Sequence, residues 1–368
     1  QNDISLQMYF DNAQRANQVL DDNRNTMDID FQHSFLPEER HEVVWGAGFR
    51  RIDDNVIGSS TLVLVPQKRT DNLLNAFVQD KIAIVKDEFF ITLGSKFERN
   101  DYTGFEMQPS GRFSWIIDNK QTFWGSAAHA VRTPNRFSDD GSLAGQATTI
   151  AGPTEVYVGT VGNKGLNSEK LNAYELGYRI EATDKLSFDV ATFYNDYDDL
   201  VVGTLTLSPI GVIFPGLGTV PYLPVTPQNL NEAHSYGTEI SSKWTVSSSF
   251  DLIAGYTYLN LKLDQNDPNG FEYRGKSPKH QFNVRANWLL GNNVEWNNAI
   301  YYVSELRNPK IEEYVRYDTR IAWKPIESLE LSLVGQNLLD PLHQEFVGYT
   351  FQNAAQIPRG VYGNVAWK

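Results

Sequence analysis

The chain has 368 residues, 41% of them hydrophobic, a formal net charge of −13 and no cysteine. The acidity argues against nucleic acid as a partner, and the lack of cysteine excludes a disulfide scaffold and thiol–metal chemistry. No run of about eighteen apolar residues occurs, so no transmembrane helix is expected.

The first residues, Gln1 to Phe10, already read as a strand, with no signal peptide ahead of them, so an exported protein would have been processed or cut there. Next, Met27, Ile29, Phe31 and Phe35 alternate with Asp28, Asp30, Gln32 and Ser34, and Val43, Trp45, Ala47 and Phe49 oppose Glu42, Gly46, Gly48 and Arg50. The pattern returns with Phe89, Ile91, Leu93 and Phe97 against Thr92, Gly94, Lys96 and Glu98. Tyr174, Leu176, Tyr178 and Ile180 oppose Glu175, Gly177, Arg179 and Glu181; Leu186, Phe188, Val190 and Tyr194 oppose Ser187, Asp189, Ala191 and Asn195. Later, Phe282, Val284, Ala286 and Trp288 oppose Gln281, Asn283, Arg285 and Asn287, and Tyr317, Ile321 and Trp323 oppose Arg316, Asp318 and Arg320.

A period of two is a strand signal. Repeated about sixteen times with one greasy and one wet face, it predicts an all-β, antiparallel transmembrane β-barrel with lipid outside and water or a plug inside. Residues 1–368 read as one such domain without a linker. Arg179, Arg285, Arg316 and Arg320 interleave with Glu175, Asp189, Glu239 and Asp318 on the wet face. Each arginine facing mid-bilayer would cost about 2–4 kcal/mol, so this face is expected to be the lumen wall, its charges paired.

The connections sort into two kinds. Short turns are expected near Pro37–Glu39, Lys86–Glu88, Asp118–Lys120, Thr183–Asp184, Ser247–Ser248, Gly291–Asn293 and Pro325–Ser328, on their Pro, Gly, Asn, Asp and Ser content. They alternate with longer loops at Asn12–Asn25, Asp53–Thr70, Pro134–Ser168, Val201–Ala233, Asp264–Lys279, Leu306–Glu312 and Pro341–Arg359, and one short loop at Asn100–Thr103. Short turns at one rim and long loops at the other are a membrane-barrel pattern. The eight tryptophans lie within a few residues of the short turns or of the C-terminus, and most share the apolar face, so they predict an interfacial girdle at that rim.

No catalytic grouping stands out. The six histidines are scattered without metal-ligand spacing, and no P-loop or G-x-S-x-G occurs. Asp264 to Gly270 faintly echoes a calcium loop but lacks the closing bidentate Glu. No enzyme activity, cofactor or resident metal is therefore expected.

Several segments resemble TonB-dependent outer-membrane receptors, the transporters of iron–siderophore complexes, haem and cobalamin. Leu166 to Arg179 resembles the signature L-x-x-E-x-x-x-x-x-E-x-G-Y-R; Phe188 to Leu200 resembles the following strand entering an outer loop. Tyr236-Gly237-Thr238-Glu239 matches Y-G-x-E, Gly275 to His280 resembles a P-x-H strand entry, and Asn337 to Asp340 resembles an N-L-x-D box. Pro358 to Gly363 resembles the lead into the last strand, and Ala130 to Pro134 fits a further pattern upstream. The resemblance implies a barrel of about 22 strands around a plug, of which this chain would be the C-terminal part, without plug, TonB box or first strands. It implies the bacterial outer membrane, with lipid, TonB (through a plug) and a metal chelate such as a ferric siderophore as partners. A passive sixteen-stranded porin-type channel is the alternative. Aromatic and arginine side chains in the long loops suit a catecholate or other flat chelate: Phe214, Tyr222, Phe271, Tyr273, Arg274, Tyr349 and Phe351 are the candidates, with internal loop packing as the competing role.

Overall fold

The computed structural model describes residues 2–149, 155–216, 218–264, 275–346 and 355–367. In chain order the first strands are β1 (Asn2–Ala16), β2 (Asp21–Glu38), β3 (His41–Ile57), β4 (Leu62–Leu64), β5 (Lys68–Val85), β6 (Phe89–Asn100), β7 (Gly104–Asp118) and β8 (Gln121–Arg132). One helical turn, α1 (Arg136–Asp140), leads into β9 (Gly141–Thr149), β10 (Glu155–Val161), β11 (Glu169–Thr183), β12 (Leu186–Leu205), β13 (Ile210–Phe214), β14 (Gly218–Ser247) and β15 (Phe250–Asp264). Then follow β16 (His280–Leu290), β17 (Val294–Val303), β18 (Leu306–Arg307), β19 (Lys310–Ile311), β20 (Tyr314–Ile326), β21 (Leu329–Gln336), β22 (Leu342–Gln344), β23 (Gln356–Pro358) and β24 (Gly360–Trp367).

Twenty strands belong to one sheet. Four of them, β4, β9, β10 and β13, are pieces at the loop end; the remaining sixteen are staves, each paired antiparallel to the next in chain order from β1 to β24. Both the barrel-type sheet and the sixteen-fold rhythm expected from the alternation are present. Among the described residues no ladder joins β1 to β24.

The registers carry the alternation across the sheet. Ile4, Leu6, Met8 and Phe10 of β1 stand on one face and are largely bare, as are Leu333 and Val365 near the other edge. Burying such side chains requires hydrocarbon outside the protein. All seven short turns fall where expected, and seven of the eight tryptophans stand on the apolar face near them. Phe250, Trp288 and Trp296 stack there at 4.1 and 5.4 Å. Trp124 is the exception: it lies on the polar face, over Gly177, where a Cβ would come within 2.2 Å of the indole.

The longer loops differ from expectation, because the staves run on past the apolar stripe. On β1 the stripe ends at Phe10, yet the ladder with β2 continues to Ala16↔Asp21, so the expected loop Asn12–Asn25 reduces to a connection at 17–20. There Asn12 donates to Asn25 at 2.7 Å and to Asn23 at 3.0 Å, in the positions apolar residues hold lower down. The loops Asp53–Thr70, Pro134–Ser168 and Val201–Ala233 likewise contain strand, and Leu306–Glu312 and Pro341–Arg359 contain the small hairpins β18–β19 and β22–β23. Alternation reports where hydrocarbon ends; backbone pairing needs no hydrocarbon and goes on in water.

Candidate functional site

Glu175, Arg179, Asp189, Glu239, Arg285, Asp318 and Arg320 all fall on one face through the successive registers. Arg179 binds Asp189 directly across the β11–β12 ladder at 2.6 Å. Arg316 binds Asp318 at 2.7 Å, and Asp318 also accepts the backbone N–H of Asn337 at 2.9 Å. Arg320 reaches Glu330 and the side chain of Asn297, while Lys324 binds Glu295 at 2.6 Å. Glu175 accepts from Ser126 at 3.2 Å. Arg285 and Glu239 stand apart from these pairs: Arg285 lies between Ile253 and Ala299, and Glu239 between Ala191 and Thr257.

At the loop end β4, α1, β9, β10 and β13 pack onto the tops of β3, β5 and β14. Val56, Leu62 and Leu64 form a small apolar core with Val19, Leu20, Phe137 and Leu143 around it. Asn135 caps α1, its side chain accepting the N–H of Ser138 at 2.9 Å. The helical turn puts Asp139 and Asp140 beside Arg69, which binds both, Asp140 at 2.6 Å, and Asp71 at 2.6 Å. Lys164 adds a contact to Asp140 at 3.1 Å, and Arg136 pairs with Asp54 and donates to the carbonyls of Pro66 and Gln67. Burial opposes the charge on Arg69, but its hydrogen bonds to Asp139 and Asp140 outweigh this and raise its pKa. Arg136 shifts the other way, lowered by burial. Tyr102 stacks under Arg69 at 4.5 Å and donates to Asp71 at 2.8 Å; burial and that bond raise its pKa.

Two of the expected ligand aromatics belong to this packed assembly. Phe214 is 1% exposed and Tyr222 is 0% exposed; their rings meet at 5.9 Å, and the Tyr222 hydroxyl donates to the Leu143 carbonyl. As placed, neither ring is open to a ligand: both serve the packing role weighed against binding, because the parallel β10–β14 pairing folds the loop over them. Phe271, Tyr273, Arg274, Tyr349 and Phe351 lie outside the described residues.

Below this assembly the polar face holds a recess of about 480 Å³, walled by Ala130, Leu171, Ala233, Leu261, Leu263 and Val202, with Tyr197 beside them. Arg132 and Glu169, directly opposite in the β8–β11 ladder, form an ion pair at its mouth, the Arg132 side chain 79% exposed. The wall bends at a bulge in β12, where the register with β14 shifts between Tyr197 and Val201 and Asp199 takes a φ of 56°. Glu169 accepts the Val201 N–H at 2.8 Å and Asn229 donates to the Asp199 carbonyl at 2.6 Å, pinning the bulge. Asn231, opposite Leu200 at this bulge, lines the recess and is 1% exposed. Neither its Nδ2 nor its Oδ1 has a hydrogen-bond partner among the described residues. Such a group costs about 1–3 kcal/mol.

Comparison with known proteins settles the kind of barrel. The sequence matches the family described as TonB dependent receptor-like, beta-barrel, over residues 2–338. The chain belongs to the TonB-dependent receptor family. The iron-regulated outer membrane virulence protein of Vibrio cholerae is 24% identical over 232 residues, which is 63% of this chain and 34% of that protein. Among solved structures, the siderophore receptor PirA of Acinetobacter baumannii superposes with a TM-score of 0.75 at 16% identity, covering 94% of this chain and 55% of PirA. A mutant of the ferric enterobactin receptor PfeA of Pseudomonas aeruginosa gives 0.72 at 15% identity, covering 94% and 54%. The chain thus spans about half the length of these receptors and a third of the curated relative. It is an outer-membrane β-barrel of the TonB-dependent class.

Several family-like motifs of this receptor chain now have a physical role. Gly177 is the floor under Trp124, and Gly237 in Y-G-x-E is the floor under the Phe193 ring, which a Cβ would approach to 2.6 Å. Asn337 of the N-L-x-D box takes a left-handed φ of 52° and donates from its side chain to the Ile357 carbonyl at 3.0 Å. The charges expected to line a lumen share the polar face but do not build the recess. Arg132, Glu169 and Asn231 were not among the candidates, although Arg132 and Glu169 sit inside segments singled out for resemblance. A signal was available: Leu259, Leu261 and Leu263 fall in phase with Gly255 and Thr257, the wet phase of β15, so the greasy face changes sides there.

Proposed function

We propose that the protein is an outer-membrane active-transport receptor for an iron–siderophore or similar metal chelate, with energy supplied through TonB. Relatives named for siderophore and ferric enterobactin reception share its fold, and its curated relative is named as iron-regulated. The observation that carries the reading is the recess: an apolar hollow with an exposed arginine at its mouth, on the face that would otherwise be wet. A passive channel needs no greasy binding surface at its entrance. A ferric chelate combines flat organic surface with negative charge, and this pairing of wall and cation suits it. The polar face is read as the lumen wall, since its arginines would be costly in lipid. The aromatics Phe271, Tyr273, Tyr349 and Phe351 and the cation Arg274 remain proposed contacts from the outer loops, with Phe214 and Tyr222 shaping the loop from behind.

Uptake of radiolabelled iron by iron-starved cells, given a panel of ferric chelates with and without the gene, tests this directly. Uptake of one chelate class should disappear with the gene and with collapse of the proton gradient. Uptake unchanged by deletion, or steady ion conductance by the protein in a planar bilayer, would overturn the reading in favour of a diffusion channel.

A further inference from the structure

We propose that the recess is a binding subsite for an uncharged aryl-amide group, with Asn231 as its specificity-determining residue. The walls, Leu171, Leu261, Leu263 and Ala233, offer apolar contact with no charge, and Tyr197 adds an aromatic surface. The volume, about 480 Å³, is that of a small-molecule site. A carboxamide offers one donor and one acceptor side by side. In Asn231 both are unused and closed to solvent among the described residues. Turned into the recess, that side chain would present both at once, and an amide with its N–H and C=O on the same side answers both in one contact. An ester or ether answers only the donor. A carboxylate also answers only the donor and leaves the acceptor unpaired. Buried polar groups left unpaired by the wrong ligand are a strong source of discrimination.

The frame is fixed. Asn229 and Glu169 hold the bulge that carries Asn231, and Asp199 keeps a left-handed backbone at the bend. Ligand entry therefore turns one side chain and moves no strand. As the arm of a metal chelate, such an aryl amide rests on the transport reading above, with the chelate's negative part meeting Arg132. Occupancy of the recess, however, is measured without transport.

The test is a fluorine NMR titration of the full-length protein in detergent with 4-fluorobenzamide and methyl 4-fluorobenzoate. The amide should bind at least about tenfold more tightly than the ester, the order of effect expected when one buried polar group finds or loses its partner. In Asn231→Leu the amide should fall to the affinity of the ester, with the heat-modifiable gel mobility of the barrel retained. In Ala233→Leu, which fills the hollow and keeps the asparagine, both probes should lose affinity together. Equal binding of amide and ester by the parent overturns the proposal, as does an unchanged amide preference in Asn231→Leu. Loss of the heat-modifiable form in Asn231→Leu overturns it too, because the carboxamide would then be bonded within the fold. Ala233→Leu binding both probes like the parent places the site elsewhere. If the parent shows the amide preference while deletion leaves chelate uptake unchanged, the transport reading fails and the subsite stands.

Discussion

The stave wall and the loop assembly solve the same problem in opposite ways. Away from the loop end the staves bury few side chains within the protein: β16 and β17, each paired on both sides, hold no buried residue. Their stability comes from continuous backbone ladders and from hydrocarbon covering the apolar face. The loop assembly stands in water and must enclose its own apolar residues, so Val56, Leu62, Leu64, Phe214 and Tyr222 are buried there, with a charge cluster knotted around α1. One chain thus carries a wall solvated by lipid and, on top of it, a small water-soluble core. The two regions should fail independently.

The sharpest way to break the comparison is to put a charge on each face of the wall. Val284→Arg and Ile321→Arg place a guanidinium on the apolar face, at about 2–4 kcal/mol near mid-bilayer. A typical total stability is about 5–15 kcal/mol, so either change should take a large share of it and sharply reduce outer-membrane assembly, read as a lower yield of the heat-modifiable form. Asn283→Arg, one residue away on the polar face, should assemble normally. Equal behaviour at all three positions would mean that the two faces do not meet different solvents.

The next effect belongs to the loops alone. Asp140 has no exposed side-chain surface and answers Arg69 and Lys164, with Arg136 at 3.8 Å. Asp140→Leu leaves those cations without it, and removing one partner of a buried ion pair costs about 3–5 kcal/mol. Protease added to whole cells should then cut near α1, while the barrel keeps its gel mobility. Loss of the barrel itself would show that wall and loops unfold as one unit.

These two experiments also mark how much of the molecule was legible in its sequence. The wall was readable because lipid imposes a strict period: Met27–Phe35 and Phe282–Trp288 can be assigned to a face without any partner known. The loop assembly was not, because its order rests on long-range contacts such as Arg69 with Asp140 and Tyr222 with Leu143, which leave no period behind. Phe214 and Tyr222 read as ligand aromatics for that reason, when their depth comes from the β10–β14 pairing. The recess falls between the two cases. Its leucines on β15 do keep a period of two but in the reversed phase, which reads as noise until the registers show that both phases belong to one strand.

A milder change separates packing from charge in the loops. Burial pushes the Tyr222 hydroxyl up to about 12 from its ordinary 10.0. A raised acid stabilises the fold fully below the unfolded value and loses that contribution as pH climbs from about 10 toward 12. Loop protection from protease should therefore weaken across that window. Tyr222→Phe should remove the alkaline step and cost about 1 kcal/mol at neutral pH, the bond to the Leu143 carbonyl being lost. An alkaline step that persists in Tyr222→Phe would have to come from another group.

The smallest effect is expected at the opposite rim. Lys120 and Asp184 join two neighbouring short turns at 2.7 Å. Both are open to water, and exposed ion pairs contribute little. The hydrogen bond from Lys120 holds the Asp184 carboxyl below its ordinary 3.8. A depressed acid contributes above its unfolded value and loses that contribution as pH falls through the lowered one. Asp184→Asn should accordingly trail the parent slightly in denaturant midpoint at pH 7 and converge on it as pH falls below the ordinary carboxylate range, with the gap closing further in high salt. A large gap at neutral pH, or one indifferent to salt, would mean that this rim relies on fixed charge as the loop rim does, and the division between a wall held by lipid and loops held by their own contacts would need to be redrawn at the turns.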